Sequence, residues 1–409
     1  MKAVVFTLGC KVNEVESAAI MAALEENGLE VSDRLEPADI YVLNTCAVTA
    51  EAERKSRQLI SRVKKFNPRA GIYVCGCASE KNAAQFSREG VRFVCGATNK
   101  ERVVQAVLSD AFGKAVECGN LGLPKSVRTR AFVKIEDGCN NFCSYCVIPY
   151  LRGRVTSRPI SSIVNEVMNV SSPEVELTGI NISAYNVEEG GLEALIKALA
   201  FTDKRVRLGS IECNVITPGF LSACAALKNF APQFHLSLQS GSDSVLKSMN
   251  RHYTRAEYLE KCALIYSVFP DAAITTDIIA GFCGESEEDF ADSLKIIEEA
   301  GFSRVHAFAF SPREGTAAYK LPDLSADVKT KRLHELLKAA KQAGEKYIIK
   351  RLGKIYDVIF EDFDGEYTAG YTGGYIRVYV KGEMSGIGRV KLIQPFRDGA
   401  TGEVLIERN

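Results

Sequence analysis

The feature that most constrains the fold is an alternation of short β-rich runs with longer amphipathic runs along most of the chain. In the first 110 residues this pattern predicts strands at 2–8, 40–43, 72–74 and 91–94, with helices between them. Such alternation is typical of a parallel sheet that is covered by helices on both faces. We therefore expect an N-terminal parallel α/β sandwich domain over residues 1–112.

A second and longer alternation follows a Gly- and Pro-bearing segment, residues 113–130, that we interpret as a linker. Six more strands are predicted, with helices between them, at 131–135, 174–177, 205–208, 234–238, 273–279 and 304–309. A complete barrel of this kind needs eight strand–helix units. Six units predict a partial (β/α)6 barrel over residues 131–345, with its chemistry at the C-terminal ends of the strands.

The end of the chain has a different character. A long charged helix is predicted at 327–350, and five short β-rich runs separated by Gly and Asp follow it. Short strands with frequent turn residues predict a small all-β barrel over residues 346–409.

The composition is that of an ordinary globular protein, with 46% hydrophobic and 25% charged residues. It excludes the disordered, collagen-like and disulfide-scaffold classes. The apolar run at the N-terminus is too short for a secretion signal, and no run reaches the roughly 18 apolar residues of a membrane-spanning helix. We therefore expect a cytoplasmic protein with reduced thiols and no membrane partner.

Three of the thirteen cysteines form a C-x3-C-x2-C motif directly after the first predicted barrel strand: Cys139, Cys143 and Cys146. Iron–sulfur clusters that transfer electrons use four cysteine ligands. Three thiolates would leave one iron of a four-iron cluster open to a small molecule. Zinc fits less well, because closed zinc sites use four ligands and no His lies nearby. Three unrelated buried thiols on so short a loop are the other alternative.

Three further cysteines follow predicted strands of the N-terminal domain: Cys10, Cys46 and Cys77. Because the C-terminal ends of parallel strands meet at one edge of a sheet, we predict a second metal site there. Cys75 is the competitor for the third position, and scattered core cysteines are the alternative interpretation. The remaining cysteines have no ligand spacing: Cys95, Cys118, Cys213, Cys224, Cys262 and Cys283.

Four segments resemble the methylthiotransferase family of radical S-adenosylmethionine enzymes. They are TLGCKVNEVES (7–17), NTCAVTAEAERKSRQ (44–58), GCAS (76–79) and KIEDGCNNFCSYCVIPYLRGRVTSR (134–158). The C-terminal strands resemble the TRAM domain of that family. TLGCKVN is similar to the subgroup that acts on N6-threonylcarbamoyladenosine in tRNA.

The resemblance implies a chemistry that spacing alone leaves open. Two 4Fe–4S clusters would lie on the two cysteine triads, and S-adenosylmethionine would bind the open iron beside Cys139, Cys143 and Cys146. Its reductive cleavage would give a radical that removes hydrogen from C2 of the adenine at tRNA position 37. The second cluster would present sulfur, and a second S-adenosylmethionine would supply the methyl group.

The resemblance also implies cofactor-binding residues and partners. Tyr145, Thr178, Gly179, Gln239 and Asp277 would contact S-adenosylmethionine, although polar residues at strand ends can merely cap turns. The partners would be the tRNA anticodon loop, a reductant such as flavodoxin or ferredoxin, and a sulfur donor. Isopentenyladenosine in tRNA or a ribosomal protein is an alternative substrate. A non-catalytic iron–sulfur protein that binds RNA or transfers electrons is the alternative of another class.

The net charge is zero, with 51 basic and 51 acidic residues, but charge is unevenly distributed. Two segments, 51–69 and 125–158, each contain seven basic and two acidic residues. Both flank the predicted cluster loops, so we expect them to face an RNA backbone, with a solvated helix face as the alternative for the first. Tyr367, Tyr371 and Tyr375 are candidates for RNA stacking, unless they fill the small barrel.

Overall fold

The computed structural model describes residues 1–113, 121 and 129–405. These residues form three units in chain order: an open parallel sheet, a larger set of parallel strands and a small barrel. Nearly all of the predicted linker at 113–130 lies outside the described residues, as does Cys118. The domain boundaries therefore stay predictions.

The first unit is the predicted α/β sandwich, a five-stranded parallel sheet in the order β2-β1-β3-β4-β5. Its strands are β1 (Lys2–Thr7), β2 (Glu30–Ser32), β3 (Ile40–Thr45), β4 (Gly71–Gly76) and β5 (Val91–Val94). Its helices are α1 (Lys11–Glu26), α2 (Ala50–Phe66), α3 (Cys77–Lys81) and α4 (Glu101–Phe112). Helices α1 and α4 cover one face and α2 the other, which confirms the predicted layers.

The second unit contains six strand positions, as predicted for a partial barrel. One sheet has the order β12-β9-β6 and the other β13-β14-β15-β16, and all of these strand pairs are parallel. The strands are β6 (Arg130–Lys134), β9 (Glu174–Thr178), β12 (Arg205–Leu208), β13 (Ser210–Ile211), β14 (Gln233–Leu236), β15 (Ala273–Ala280) and β16 (Arg304–Ala309). Because Gly209 alone separates β12 from β13, we count them as one barrel position.

Short elements at the strand ends complete this unit. Four two-residue strands form two antiparallel pairs, the first with the second and the third with the fourth: β7 (Glu136–Asp137), β8 (Thr156–Ser157), β10 (Asn186–Val187) and β11 (Gly190–Gly191). The helices are α5 (Ile148–Arg152), α6 (Ile160–Asn169), α7 (Leu192–Ala198), α8 (Pro218–Ala226), α9 (Asp243–Ser248), α10 (Arg255–Val268), α11 (Glu287–Glu299) and α12 (Ala326–Ile349). One apolar core joins the strands to α6, α7, α8, α10, α11 and α12.

The third unit is a closed five-stranded barrel in the order β17-β18-β19-β21-β20, as expected for a TRAM-like domain. Its strands are β17 (Ile355–Phe363), β18 (Tyr367–Thr372), β19 (Arg377–Lys381), β20 (Ile387–Phe396) and β21 (Gly399–Val404). No helix of the described residues is long and apolar enough to cross a membrane.

Candidate functional site

The structure brings Cys10, Cys46 and Cys77, which we call the N-terminal triad, to one edge of the first sheet. Cys10 is the N-cap of α1, Cys46 follows the end of β3, and Cys77 is the first residue of α3. Strands β3 and β4 are in register up to their last residues, so the loops that follow them start side by side. Cys46 and Cys77 are buried, whereas Cys10 is exposed.

Two glycines let the loops of the N-terminal triad approach each other. Gly9 has a φ of +117°, and a Cβ there would lie 3.1 Å from the sulfur of Cys46. Gly76 has a φ of +108°, and a Cβ there would lie 2.4 Å from the carbonyl oxygen of Thr45. Both backbones adopt a conformation that side chains disfavour, at positions where no side chain fits.

The thiols of the N-terminal triad influence each other electrostatically. Burial, together with charge on Cys77 and Cys10, raises the pKa of Cys46 to about 11. Burial also raises the pKa of Cys77, against the opposing effects of Arg152 and Lys100. Cys75 lies on the other face of the sheet, fully buried with Cys95 among the residues of α1 and α4. The geometry therefore groups Cys77, and not Cys75, with Cys10 and Cys46.

The second group, Cys139, Cys143 and Cys146, which we call the loop triad, lies on the loop that follows β7. The Asn181 amide nitrogen lies 3.8 Å from the sulfur of Cys139, and an Arg251 guanidinium nitrogen lies 3.4 Å from that of Cys143. Burial, together with charge on Cys143 and Cys139, raises the pKa of Cys146 to about 12. Three thiols thus share one small space with two hydrogen-bond donors.

The donor chemistry of both triads fits iron–sulfur clusters. Among the described residues, no three His, Cys, Asp or Glu side chains converge closely enough to hold a single metal ion. A cluster differs from a single ion because each cysteine binds a separate iron. Hydrogen bonds to the sulfurs, of the kind that Asn181 and Arg251 are placed to make, are a recognised means of tuning such clusters.

Thr178 and Gly179 end β9 beside the loop triad. A Cβ on Gly179 would lie 2.7 Å from a carboxyl oxygen of Glu136. That oxygen accepts a hydrogen bond of 2.7 Å from the backbone nitrogen of Asn181, whose side chain reaches Cys139. The strand end therefore lies against the cysteine loop, as a cofactor clamp would, and the assignment of cofactor contacts stays a prediction.

The other three predicted cofactor residues lie in two places. Tyr145 packs edge-on against Phe282, with ring centroids 6.4 Å apart. Gln239, at a φ of +78°, donates its backbone N–H to the Asp277 carbonyl oxygen at 2.8 Å. The Asp277 carboxylate instead lies 3.3 Å from His235 within the barrel. The structure thus pairs Gln239 with Asp277 and places Tyr145 beside the loop triad.

Sequence reasoning missed several polar residues at the loop triad. Glu212 lies 2.5 Å from the Asn141 amide and 3.1 Å from Arg251. Glu136 and Asn181 were missed as well. Each of these contacts joins residues at least 39 positions apart, so local motifs carry no signal of them. Their place at the ends of predicted barrel strands was the available clue.

The structure corrects part of the RNA-facing prediction for segment 125–158. Arg152 is buried, Lys134 pairs with Glu16 and Asp137, and Arg158 pairs with Glu166. These cations neutralise buried carboxylates, so they are not free for phosphates. Lys125 and Arg128 lie outside the described residues, and Arg154 is exposed.

Two of the three tyrosines proposed for RNA stacking serve packing instead. Tyr375 accepts a hydrogen bond of 2.9 Å from Arg130, and Arg207 lies 4.5 Å above its ring. Tyr371 packs on Tyr375 with ring centroids 5.0 Å apart. Both therefore belong to the contact between the small barrel and the central strands.

Comparison with known proteins agrees with this architecture. The family profile described as uncharacterized protein family UPF0004 matches residues 2–96, and the radical SAM superfamily profile matches residues 133–297. The radical S-adenosylmethionine methyltransferase TsrM from Kitasatospora setae has a similar fold. Its TM-score is 0.53 at 13% identity, over 75% of this chain and 74% of that chain.

Curated relatives match along nearly the whole chain. The threonylcarbamoyladenosine tRNA methylthiotransferase of Chlamydia pneumoniae is 37% identical over 97% of both chains. The protein of the same name from Bacillus subtilis is 33% identical, over 96% of this chain and 93% of its own. The tRNA-2-methylthio-N(6)-dimethylallyladenosine synthase of Thermodesulfovibrio yellowstonii is 32% identical, over 98% and 97%. With both triads at strand ends, the chain therefore belongs to the methylthiotransferase family of radical S-adenosylmethionine enzymes.

Proposed function

We propose that the protein thiomethylates C2 of N6-threonylcarbamoyladenosine at position 37 of tRNA. The observation that carries the proposal is the presence of two separate cysteine triads, one at the C-terminal ends of parallel strands of the first sheet and one on the loop that follows β6 and β7. One triad accounts for cofactor cleavage, whereas sulfur insertion needs a second centre that supplies sulfur.

Each triad would hold one of the two clusters, and nearby residues would orient the cofactor. When bound, two 4Fe–4S clusters and S-adenosylmethionine would supply the radical, sulfur and methyl chemistry. The loop triad would hold the first cluster, with Arg251 and Asn181 as donors to its sulfurs. The Thr178–Gly179 strand end and Tyr145 would orient the cofactor. Cys10, Cys46 and Cys77 would hold the second cluster at the edge of the first sheet.

A cation beside the N-terminal triad favours a substrate with a carboxylate. Lys11 follows Cys10, is about half exposed, and reaches into the barrel to lie 2.5 Å from the buried carboxylate of Glu176. The threonylcarbamoyl group carries a carboxylate, whereas the dimethylallyl group is apolar. An apolar substituent beside Lys11 would take the exposed half of its ammonium side chain out of water without offering a hydrogen bond in return, which is unfavourable.

Exposed groups near the loop triad offer a surface for a single-stranded RNA loop. Tyr150 is 62% exposed and packs edge-on against Phe142, and the Arg154 guanidinium lies 4.7 Å from the Phe142 ring. Aromatic and guanidinium planes of this kind stack on unpaired bases. A reductant such as flavodoxin or ferredoxin and a sulfur donor complete the proposed partners.

The second candidate function is thiomethylation of dimethylallyladenosine, which the name of the Thermodesulfovibrio relative supports. The test is to incubate the anaerobically reconstituted enzyme with tRNAs that carry one or the other modified adenosine, and to analyse the nucleosides by mass spectrometry. We expect the 2-methylthio product on threonylcarbamoyladenosine. Product on dimethylallyladenosine alone, or on neither, would refute the substrate assignment.

A further inference from the structure

We propose that Arg152 is a positioning residue that locks the N-terminal triad against the loop triad and places a fixed positive charge beside Cys77. Arg152 ends α5, six residues after the last cysteine of the loop triad, and only 1% of its side chain is exposed. Although it belongs to the central unit, its guanidinium contacts residues of the first unit.

The contacts of Arg152 span both units. In the first unit, one guanidinium nitrogen donates to the Asn13 side-chain oxygen at 2.7 Å, and the other donates to Glu16 at 2.9 Å. In the central unit, it lies 3.1 Å from both carboxylate oxygens of Asp137. Asp137 is two residues before Cys139. One side chain therefore joins the start of α1 to the start of the cysteine loop.

Asn13 transmits this contact to the N-terminal triad. Its amide nitrogen donates to the carbonyl oxygens of Leu8 at 2.8 Å and Thr45 at 3.1 Å, which lie just before Cys10 and Cys46. Its oxygen accepts from Arg152 and lies 3.8 Å from the sulfur of Cys10. A shift of Arg152 would therefore move two of the three loops that carry the triad.

The charges around Arg152 leave a positive excess at the triad. The carboxylates of Glu16 and Asp137 face three cations, namely Lys100, Lys134 and Arg152. These cations outweigh the effect of burial and hold the pKa of Glu16 well below its usual range. We use the term junction for six residues: Asn13, Glu16, Lys100, Lys134, Asp137 and Arg152. The unbalanced positive charge of the junction lies beside the N-terminal triad, because the Asn13 oxygen that accepts from Arg152 is 3.8 Å from the sulfur of Cys10, and thiolate ligands there would carry negative charge.

The orientation of Arg152 fits a role toward the N-terminal triad. Its Nε is buried and has no hydrogen-bond partner among the described residues. Leu151, the neighbour of Arg152 on α5, packs in one apolar core with Cys77, the first residue of α3. A positive charge beside an iron–sulfur centre stabilises its reduced form, and residues that support the ligands affect function strongly.

Four variants separate the charge of Arg152 from its geometry. Arg152→Gln removes both, and Arg152→Lys keeps the charge but loses the fork that holds three partners. The double variant Arg152→Gln with Glu16→Gln restores the excess positive charge without the fork. Arg158→Gln is the matched control, because Arg158 lies on the same segment but contacts residues of the central unit, such as Glu166.

The first measurement is the midpoint potential of the N-terminal site, made in a background in which the three loop-triad cysteines are alanine. We expect a more negative potential in Arg152→Gln, and values near that of the parent in Arg152→Lys, the double variant and Arg158→Gln. An unchanged potential in Arg152→Gln would overturn the charge part of the proposal.

The second measurement is the ratio of 5′-deoxyadenosine to thiomethylated product with all cysteines present. Of the two measurements, only this ratio requires the proposed function to be correct; the midpoint potential does not. We expect Arg152→Gln, Arg152→Lys and the double variant to keep 5′-deoxyadenosine formation within about twofold, while product falls about tenfold or more. Arg158→Gln should keep the parental ratio.

A parental ratio in all three Arg152 variants would overturn the positioning part. If the parent enzyme makes no product on any tRNA, the proposed function is wrong. The midpoint potentials still test the charge part of the proposal for Arg152. If Arg152→Gln fails to fold, Arg152→Lys and the double variant still decide the positioning part through the product ratio. Glu16→Gln alone then decides the charge part, because it increases the excess positive charge: a potential no more positive than that of the parent would overturn that part.

Discussion

Glu136 is a buried carboxyl group, three residues before Cys139, whose two oxygens have unequal environments. One oxygen accepts the backbone N–H of Asn181, and the other is buried and has no hydrogen-bond partner among the described residues. Burial, aided by the nearby Asp137, raises the pKa of Glu136 to about 7. An unpartnered buried oxygen is costly when charged, so the group favours its protonated form in the folded protein.

This pKa predicts a pH-dependent effect of Glu136→Gln on stability. The folded-state pKa of Glu136 lies above the unfolded value of about 4.5. The wild type therefore loses stability relative to the variant as pH rises from about 4.5 to about 7. The expected loss in the free energy of unfolding is up to roughly 3 kcal/mol. Above that range the difference stays constant. Urea unfolding of the metal-free protein at pH 5, 6 and 8 measures it, with the exposed Glu188→Gln as control. A Glu136→Gln effect that is equal at pH 5 and pH 8 would contradict the prediction.

At the scale of elements, the distance between the cysteines of the N-terminal triad depends on how closely the strand ends pack. Strands β3 and β4 end side by side, and the Gly76 backbone leaves the sheet in a conformation with no room for a side chain. The glycine lets α3 begin at once with Cys77. The closeness of these loops is therefore a property of the backbone as much as of the cysteines.

Gly76→Ala should disrupt the N-terminal triad, because the added Cβ meets the Thr45 backbone at 2.4 Å. We expect reconstituted iron to fall by about half, or roughly four irons per chain, with the loop-triad cluster retained. Gly28→Ala is the matched control, since Gly28 also has a positive φ but open space around it. It should cost about 1–2 kcal/mol and keep its iron. Equal iron in both variants would contradict this account.

Elements with local signals were predictable from the sequence. Helices α8, α10 and α11 lie between predicted strands, as expected, and each starts at a Ser or Thr whose side chain caps the first turn. Strand β2 was missed because its three residues have no distinctive pattern. Strand β21 begins at Gly399, a strand residue that packs against the Arg377 backbone, although the glycines in this part of the chain predict turns.

At the scale of the whole molecule, a buried ion cluster joins the small barrel to the central strands. Glu174 on β9 pairs with Arg130, Arg205 and Arg207. These arginines also donate to the barrel, for example Arg207 to the Gly373 carbonyl oxygen at 3.0 Å. The sequence did not predict this contact, since the partners lie 166 positions apart and charge patterns are not specific at that distance.

Glu174→Gln should loosen this contact strongly. The arginines outweigh the effect of burial and lower the pKa of Glu174 to about 2, so the carboxylate is charged at neutral pH. Its removal leaves buried cations unpaired, which costs about 3–5 kcal/mol. Chemical unfolding checks this, with Glu193→Gln as control, because the Glu193–Lys197 surface pair is worth less than about 1 kcal/mol. Equal losses in both variants would contradict the account.

The central claim is that the two triads are separate cluster sites, and iron content after anaerobic reconstitution tests it most directly. We expect about eight irons per chain in the wild type and in the control Cys75→Ala. We expect about four when Cys10, Cys46 and Cys77 are all alanine, and about four when Cys139, Cys143 and Cys146 are. About four irons in the wild type, or about eight in either triple variant, would contradict the claim.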